Sequence, residues 1–230
     1  GDSQVDIAVY RPGSGKWYIR GIGIENPGWE NGVPLPCDYD GDGMDDPAVY
    51  EPDEGIWYIQ SSGNIKYGQE GDIPVPEDYN GDRICDIAVY RPGNGVWYIK
   101  GQGSFKYGHA GDVPLPGDYD GDGAAELAVY RPSNGNWYIK SMAYFSWGLE
   151  GDVPVPGDYD GDGSADIAVL RPANGRWYIR GLGNERWFRE GDFPLPLIDR
   201  EGDGVINHEK YTGEQKAGKT PEITPGNTST

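Results

Sequence analysis

The chain contains few of the residues on which enzymatic catalysis, zinc binding and membrane insertion commonly depend. Among its 230 residues are only two histidines and two cysteines. Neither His109 nor His208 has a serine or cysteine nucleophile at a suggestive place, and no zinc-ligand spacing is present. No apolar run approaches the ~20 residues that span a bilayer. We therefore expect a protein that is not an enzyme and does not insert directly into a membrane.

Basic residues are also scarce, and no secretory leader is recognisable. Lys and Arg total 19 against 38 Asp and Glu, which gives a formal net charge of −19. Nucleic acids and anionic membrane surfaces repel such a chain, so neither is an expected partner. The N-terminus lacks the charged, apolar and small-residue regions of a signal peptide. If the protein is secreted, we expect this sequence to be a mature or trimmed form.

The two cysteines do not form an obvious framework. Cys37 and Cys85 fall at different phases of successive repeat units, which are described next. We expect two isolated thiols, and a disulfide between them is the alternative.

Aliphatic residues are sparse too, yet aromatic residues recur in strict register. Low aliphatic content with high net charge is typical of disordered chains. Here, however, 8 Trp and 17 Tyr mark a repeat. The string Trp-Tyr-Ile begins every 40 residues, at Trp17, Trp57, Trp97, Trp137 and Trp177. We expect these side chains to pack between repeat units rather than to stack on sugars.

Each unit contains four short stretches with the composition of strands. In one unit Asp86–Arg91 and Gly95–Lys100 are rich in β-branched and aromatic residues, and the turn Pro92–Gly95 separates them. A weaker strand precedes Tyr107, and another runs through Val113–Pro116, where proline indicates an edge or a strand start. Four strands per 40 residues is typical of a β-propeller blade, whereas calcium-type β-solenoids have shorter repeats. The sequence therefore predicts an all-β, five-bladed β-propeller.

The two ends of the chain are predicted to close the ring. The sequence begins in mid-unit, and a spare Pro-x-Pro strand lies at the other end, in Asp192–Ile198. We expect this strand to pair beside Val5–Arg11, so that both termini share the last blade. The propeller would then occupy residues 1–207, and residues 208–230 would form a short helix or a flexible tail or linker.

The repeat also predicts ion pairs between the first two strands of a blade. Where one unit has Gly32 in place of the recurring Asp, it also has Glu51 in place of the recurring Arg. The joint loss indicates that the two residues are partners. The predicted pairs are Asp72–Arg91, Asp112–Arg131, Asp152–Arg171 and Asp192–Arg11. We expect exposed pairs worth about 0–1 kcal/mol each, which serve mainly to set the register.

The connection between these two strands carries the strongest chemical signal. In four units it has oxygen-bearing side chains at positions 1, 3, 5 and 9 of a nine-residue loop. So many carboxylates repel one another unless a cation lies among them, and Ca²⁺ accepts six to eight oxygen ligands in flexible geometry. The predicted side-chain ligands are Asp38, Asp40, Asp42 and Asp46; Asp78, Asn80, Asp82 and Asp86; Asp118, Asp120, Asp122 and Glu126; and Asp158, Asp160, Asp162 and Asp166.

Backbone carbonyls at position 7 would complete each set. These belong to Met44, Ile84, Ala124 and Ser164. Mg²⁺ is disfavoured because it demands a tighter octahedron and resists dehydration. An EF-hand is disfavoured because strands follow the loops. The simpler alternative is a run of solvated turn aspartates without a metal.

A fifth site is predicted near the C-terminus. Asp199, Glu201 and Asp203 repeat the spacing after the last Pro-x-Pro strand. The later ligands would come either from Asp203 and Asn207 or from Asp2 and Asp6, which hold the same phases. A loop that leads into a short helix is also compatible with this stretch.

These loops, together with the Ile-Ala-Val-Tyr stretch that follows one of them at 87–90, resemble the FG-GAP/VCBS repeats of integrin α-subunit heads and of large bacterial surface proteins. The resemblance covers nearly all of residues 1–207. It implies a calcium-loaded β-propeller, usually extracellular, that binds other proteins or glycans. Integrin heads have more and longer blades, and the Phe-Gly and Gly-Ala-Pro signatures are absent here.

We therefore predict a non-catalytic, extracellular or cell-surface module that serves in adhesion, protein interaction or assembly, including self-assembly. The alternatives are a calcium-dependent lectin and an accessory domain of a secreted polysaccharide-degrading enzyme. The stretches that differ between units are candidates for an interaction surface along outer strands or loop tips. They are Ile22–Trp29, Asn64–Tyr67, Ser104–Tyr107, Tyr144–Trp147 and Asn184–Phe188.

Overall fold

The computed structural model describes residues 8–19, 23–25, 30, 32–186, 197–200 and 203–205. Within these ranges the chain forms short strands and one turn of 3-10 helix at Pro12–Ser14. In the same ranges, no helix has the length and apolar character needed to cross a bilayer. The architecture is thus all-β, as predicted.

Five small antiparallel sheets of three or four strands are arranged as a five-bladed β-propeller, and the strands Leu197–Arg200 and Asp203–Val205 form a separate two-stranded sheet. The first blade has Ala8–Arg11, Lys16–Ile19 and Gly23–Glu25. The second has Val33–Pro34, Ala48–Glu51, Ile56–Ile59 and Gly63–Lys66. The third has Ile73–Pro74, Ala88–Arg91, Val96–Ile99 and Gly103–Lys106. The fourth has Val113–Pro114, Ala128–Arg131, Asn136–Ile139 and Phe145–Ser146. The fifth has Val153–Pro154, Ala168–Arg171, Arg176–Ile179 and Gly183–Arg186.

Consecutive strands are neighbours in every blade, so each sheet is a simple meander. In the third blade the turn before Val96 needs glycine, because Gly95 has φ +66° and a Cβ there would lie 2.3 Å from the carbonyl oxygen of Gly108. The Gly95 N–H donates to the Arg91 carbonyl at 2.8 Å and closes the turn. The predicted turn at 92–95 is therefore confirmed, and its glycine also allows the outer strand to approach closely.

The hydrophobic core lies between adjacent blades. Trp57 of the second blade is 0 % exposed and packs with Ile87 and Val89 of the third. Its indole Nε1 donates to the Tyr67 carbonyl at 2.8 Å, so the one polar atom of the ring is satisfied. Trp97 and Trp137 repeat this arrangement in the next two interfaces. The prediction that these tryptophans pack in the core is confirmed.

Three of the four predicted ion pairs are present, and their carboxylates are more buried than expected. Arg131 binds Asp112 through two bonds, Nε to Oδ1 at 2.7 Å and Nη2 to Oδ2 at 2.8 Å. Asp112 is only 4 % exposed and also accepts the N–H of His109. The Asp72–Arg91 and Asp152–Arg171 pairs are equivalent. The expectation of solvent-exposed pairs was wrong, because the neighbouring loop turns over each carboxylate.

Removal of the arginine should therefore be costly. We expect Arg131→Met to lower the free energy of unfolding by about 3 kcal/mol, because it leaves a buried carboxylate without its counter-charge. The measurement is urea denaturation with calcium present. The matched control is the double variant D112N/R131M, which removes the stranded charge and should recover part of the loss. A loss under about 1 kcal/mol in the single variant would mean that the pair behaves like an exposed one.

The first blade differs from the others on one face. Val9 is 55 % exposed, although its counterpart Val89 is 1 % exposed. The strand predicted to complete this blade lies in Asp192–Ile198, of which only the last two residues are described. Closure of the ring by both termini and the Asp192–Arg11 pair therefore fall outside the described residues and stay predictions, as does a helix or tail at 208–230.

A disulfide joins the second and third blades. Cys37 and Cys85 are bonded, with their Cα atoms 6.2 Å apart and 48 residues apart in sequence. The expectation of isolated thiols was wrong, because it compared the two positions by repeat phase within a blade. The relevant neighbours are instead on adjacent blades, where these two phases meet.

Candidate metal centre

Each of the four internal acidic loops links the first and second strands of a blade. The loops comprise residues 38–46, 78–86, 118–126 and 158–166. Each loop is closed by an isolated antiparallel bridge, for example Gly117 with Glu126, which pairs position 9 with the residue that precedes position 1. The sequence prediction placed the loops correctly between strands.

The carboxylate at position 1 organises the loop backbone. Asp118 accepts the N–H of Gly121 on Oδ1 at 2.6 Å and the N–H of Gly123 on Oδ2 at 2.8 Å. The other loops have the same two bonds at Asp38, Asp78 and Asp158. Such bonds stabilise the turn by themselves and hold the loop in shape for a ligand.

Positions 3 and 5 are fixed in the same way. Asp120 Oδ1 accepts the N–H of Asp122 at 3.2 Å, and Asp122 Oδ1 accepts the N–H of Ala124 at 2.9 Å. The bonds recur in the other three loops. The alternate side chains are therefore held over one loop, as the predicted spacing requires.

Position 9 carries a partly buried carboxylate. Glu126 Oε2 accepts the N–H of Tyr119 at 2.8 Å. Burial raises the pKa of Glu126, and the charges of Asp120 and Asp118 raise the pKa further, while the Tyr119 N–H opposes them. Burial is also the main cause of the raised pKa values of Asp46, Asp86 and Asp166. Ionisation at position 9 is thus less favourable than for a solvated carboxyl group, and a nearby positive charge would offset the difference.

The residues present fit a hard cation in three of the loops. Among the described residues, the carboxylates fall into three groups whose ligand oxygens lie within 4.8 Å of one another. The groups are Asp38, Asp40 and Asp42; Asp118, Asp120 and Asp122; and Asp158, Asp160 and Asp166. All donors are oxygen atoms, the class that Ca²⁺ prefers. The position-7 carbonyls of Met44, Ile84, Ala124 and Ser164 stay predicted ligands.

Loops of adjacent blades contact each other through the backbone. Ala125 in the fourth-blade loop donates its N–H to the carbonyl of Asp78 at 2.7 Å. The equivalent bonds join Cys85 to Asp38 and Ala165 to Asp118, at 2.7 and 2.6 Å. The position-1 residue of one loop therefore also holds position 8 of the next.

The predicted fifth site has a different backbone. Residues Leu197–Arg200 and Asp203–Val205 form a two-stranded hairpin, in which Arg200 pairs with Asp203. The four internal loops, by contrast, contain no strand between positions 1 and 8. The side chains of Asp199, Glu201 and Asp203 lie outside the described set, as do Asp2, Asp6 and Asn207, so the fifth site stays a prediction.

The unit-specific stretches lie on outer strands where they are described. The outer strand is Gly63–Lys66 in the second blade and Gly103–Lys106 in the third. In the fourth blade Tyr144 is 65 % exposed and stacks on Tyr138, with 6.1 Å between ring centroids. The amide of Asn134 donates to the Tyr138 hydroxyl at 3.3 Å. This blade therefore has an exposed aromatic ring beside polar groups.

No family model and no curated protein matches the chain. Among solved structures, the chain is similar to the crystal structure of the V. cholerae biofilm matrix protein Bap1. The identity is 21% and the TM-score is 0.39. The alignment covers 77% of this chain and 34% of that one. A similarity at this level transfers no function.

Proposed function

We propose that the protein is a non-catalytic, extracellular β-propeller that binds calcium in its acidic loops and serves as an adhesion or assembly module. The observation that carries this proposal is the loop geometry. At positions 1, 3 and 5 of loop 118–126, backbone N–H groups hold three carboxylates whose ligand oxygens lie within 4.8 Å of one another. At position 9, burial raises the pKa of Glu126. A bound Ca²⁺ would supply the missing positive charge, and the residues named above would hold it.

The resemblance to FG-GAP/VCBS repeats supports the same cation. The spacing of the loops and the strand that follows them agree with that family's motif. The disulfide supports an extracellular location, because disulfides persist mainly in oxidising compartments. The acidic surface also favours cations or proteins, rather than nucleic acids, as partners.

Two small grooves lie between described blades. Their volumes are about 160 Å³, beside Glu126 and Lys140, and about 200 Å³, beside Asp86 and Lys100. Sites for small-molecule ligands are commonly about 300–1,000 Å³. These two grooves are therefore smaller than usual small-molecule sites, and the proposed binding uses an extended surface instead.

A lectin is the second candidate, and the Tyr138–Tyr144 stack favours it. An exposed aromatic ring beside amide groups suits contact with a sugar ring, whose C–H face packs on the ring. An accessory role beside a polysaccharide-degrading enzyme would use the same surface.

Light scattering after size-exclusion chromatography tests the assembly proposal. We expect a species larger than the 25.2 kDa chain in calcium, which dissociates in EDTA. A glycan array with wild type and Tyr144→Ala, both in calcium, tests the lectin. A folded, calcium-loaded monomer whose array signal is lost in Tyr144→Ala would contradict assembly and support the lectin.

Inductively coupled plasma analysis of the dialysed protein gives the bound metal directly, and absence of bound calcium would contradict the metal assignment.

A further inference from the structure

We propose that the third-blade loop, residues 78–86, keeps its fold without a cation and binds calcium more weakly than the three other internal loops. This inference rests on the proposed calcium function and concerns how the loops differ. The fold of the loop in the absence of calcium is measurable whether or not the chain binds calcium.

The third-blade loop has the lowest negative charge. Asn80 stands at position 3, where the other loops have Asp, and Arg83 stands at position 6, where they have Gly. The formal charge over nine residues is −2 in this loop, −5 in loop 38–46 and −4 in each of the other two. The calcium affinity of a loop depends on the number of charged ligands, so loop 78–86 should be the weakest site.

Neutral side-chain donors contact the carboxylate at position 9 of this loop. Gln102 Nε2 donates to Asp86 Oδ2 at 2.7 Å, and Asn80 Nδ2 lies 3.4 Å from both carboxylate oxygens. The residues that correspond to Gln102 in the fourth and fifth blades are Met142 and Leu182, which carry no N–H or O–H in their side chains. In loop 38–46 the Ser61 side chain forms a hydrogen bond with Asp46. That loop, however, has Asp at all four side-chain ligand positions.

The backbone of the loop is anchored from outside. Arg83 has φ +68°, a conformation that the other loops assign to glycine, and its N–H donates to Asp78 Oδ2 at 2.6 Å. A residue with a side chain persists in this region only where its surroundings hold the backbone. Here the disulfide from Cys85 to Cys37 supplies an anchor that loops 118–126 and 158–166 lack, in addition to the N–H bond to the preceding loop that all three have.

Amide hydrogen exchange in EDTA, below the melting temperature of the calcium-free protein, tests whether the loop folds alone. We expect the amides of Gly81 and Arg83 to stay protected, and those of Gly121 and Gly123 to exchange at least about tenfold faster. Addition of calcium should slow exchange in loop 118–126 much more than in loop 78–86. Equal exchange in the two loops without calcium would overturn the inference.

Reciprocal variants test the affinity. N80D/R83G gives loop 78–86 the ligands of its neighbours, and we expect calorimetry to detect one additional tight calcium site. D120N/G123R makes the opposite change in loop 118–126, and we expect the loss of one tight site. Unchanged stoichiometry in both variants would overturn the inference.

The outcomes separate this inference from the proposed function. If wild type binds no calcium, the proposed metal function fails, and exchange in EDTA still decides whether loop 78–86 is the best ordered. If wild type binds calcium equally in all four loops, the proposed function stands and the inference fails.

Discussion

Removal of calcium should lower the melting temperature by roughly 15–30 °C. A site at 100 times its Kd stabilises the folded state by about 2.7 kcal/mol, so the three most acidic loops together contribute about 8 kcal/mol. In a protein of this size, each 1 kcal/mol shifts the melting temperature by roughly 2–4 °C. Differential scanning calorimetry in calcium and in EDTA measures the shift.

The physical reason is the charge of the ligands. Without calcium, the carboxylates of each loop repel one another, and burial further disfavours ionisation at position 9. Excess magnesium should restore little of the stability, because it resists dehydration.

Asp120→Asn is a matched variant, since the third blade has Asn80 at this position. It should weaken one loop about tenfold and lower the calcium-dependent stabilisation by about 1.4 kcal/mol. Identical melting in calcium and EDTA would rule out a structural role for the metal.

Loss of the Cys37–Cys85 disulfide should cost about 4 kcal/mol of unfolding free energy. The bond closes a loop across a sequence separation of 48 residues, and in the chain-entropy model a loop of this size restricts the unfolded chain by that amount. We expect C37A/C85A to melt about 8–16 °C below wild type in calcium. Reduction of the wild-type protein should give the same shift, whereas reduction of the variant should have no effect.

The fourth and fifth blades offer a matched control for this prediction. A Cβ atom at Gly117 would lie 3.5 Å from the Cβ of Ala165, within the usual range for a disulfide. These two positions correspond to Cys37 and Cys85 after a shift of two units. We expect G117C/A165C to form a cystine and to recover stability in the C37A/C85A background. Failure of both cystines to change the melting temperature would show that the loops need no cross-link.

The repeat in the sequence was sufficient to predict the strands and the acidic loops. Both depend on local chemistry: the residues of Pro92–Gly95 favour a turn, and an Asp-x-Asp-x-Asp spacing in a loop favours side chains on one side of it. The Asp112–Arg131 pair was also predictable, because in one unit the two residues are replaced together. A repeat provides its own internal comparison, which a single non-repetitive chain lacks.

Only the tertiary structure decided which positions of adjacent blades meet, beyond the predicted packing of the tryptophans. The disulfide joins positions at different phases, and their proximity depends on how one blade packs on the next. The burial of Asp112 was missed for the same reason, since a strand register says nothing about the loop that covers it. The difference between loop 78–86 and its counterparts needed the position of Gln102, which comes from another hairpin of the blade. Local spacing in the sequence thus determined the strands, turns and candidate ligands. Contacts between distant segments determined how far each ligand loop and ion pair is buried, cross-linked or hydrogen-bonded.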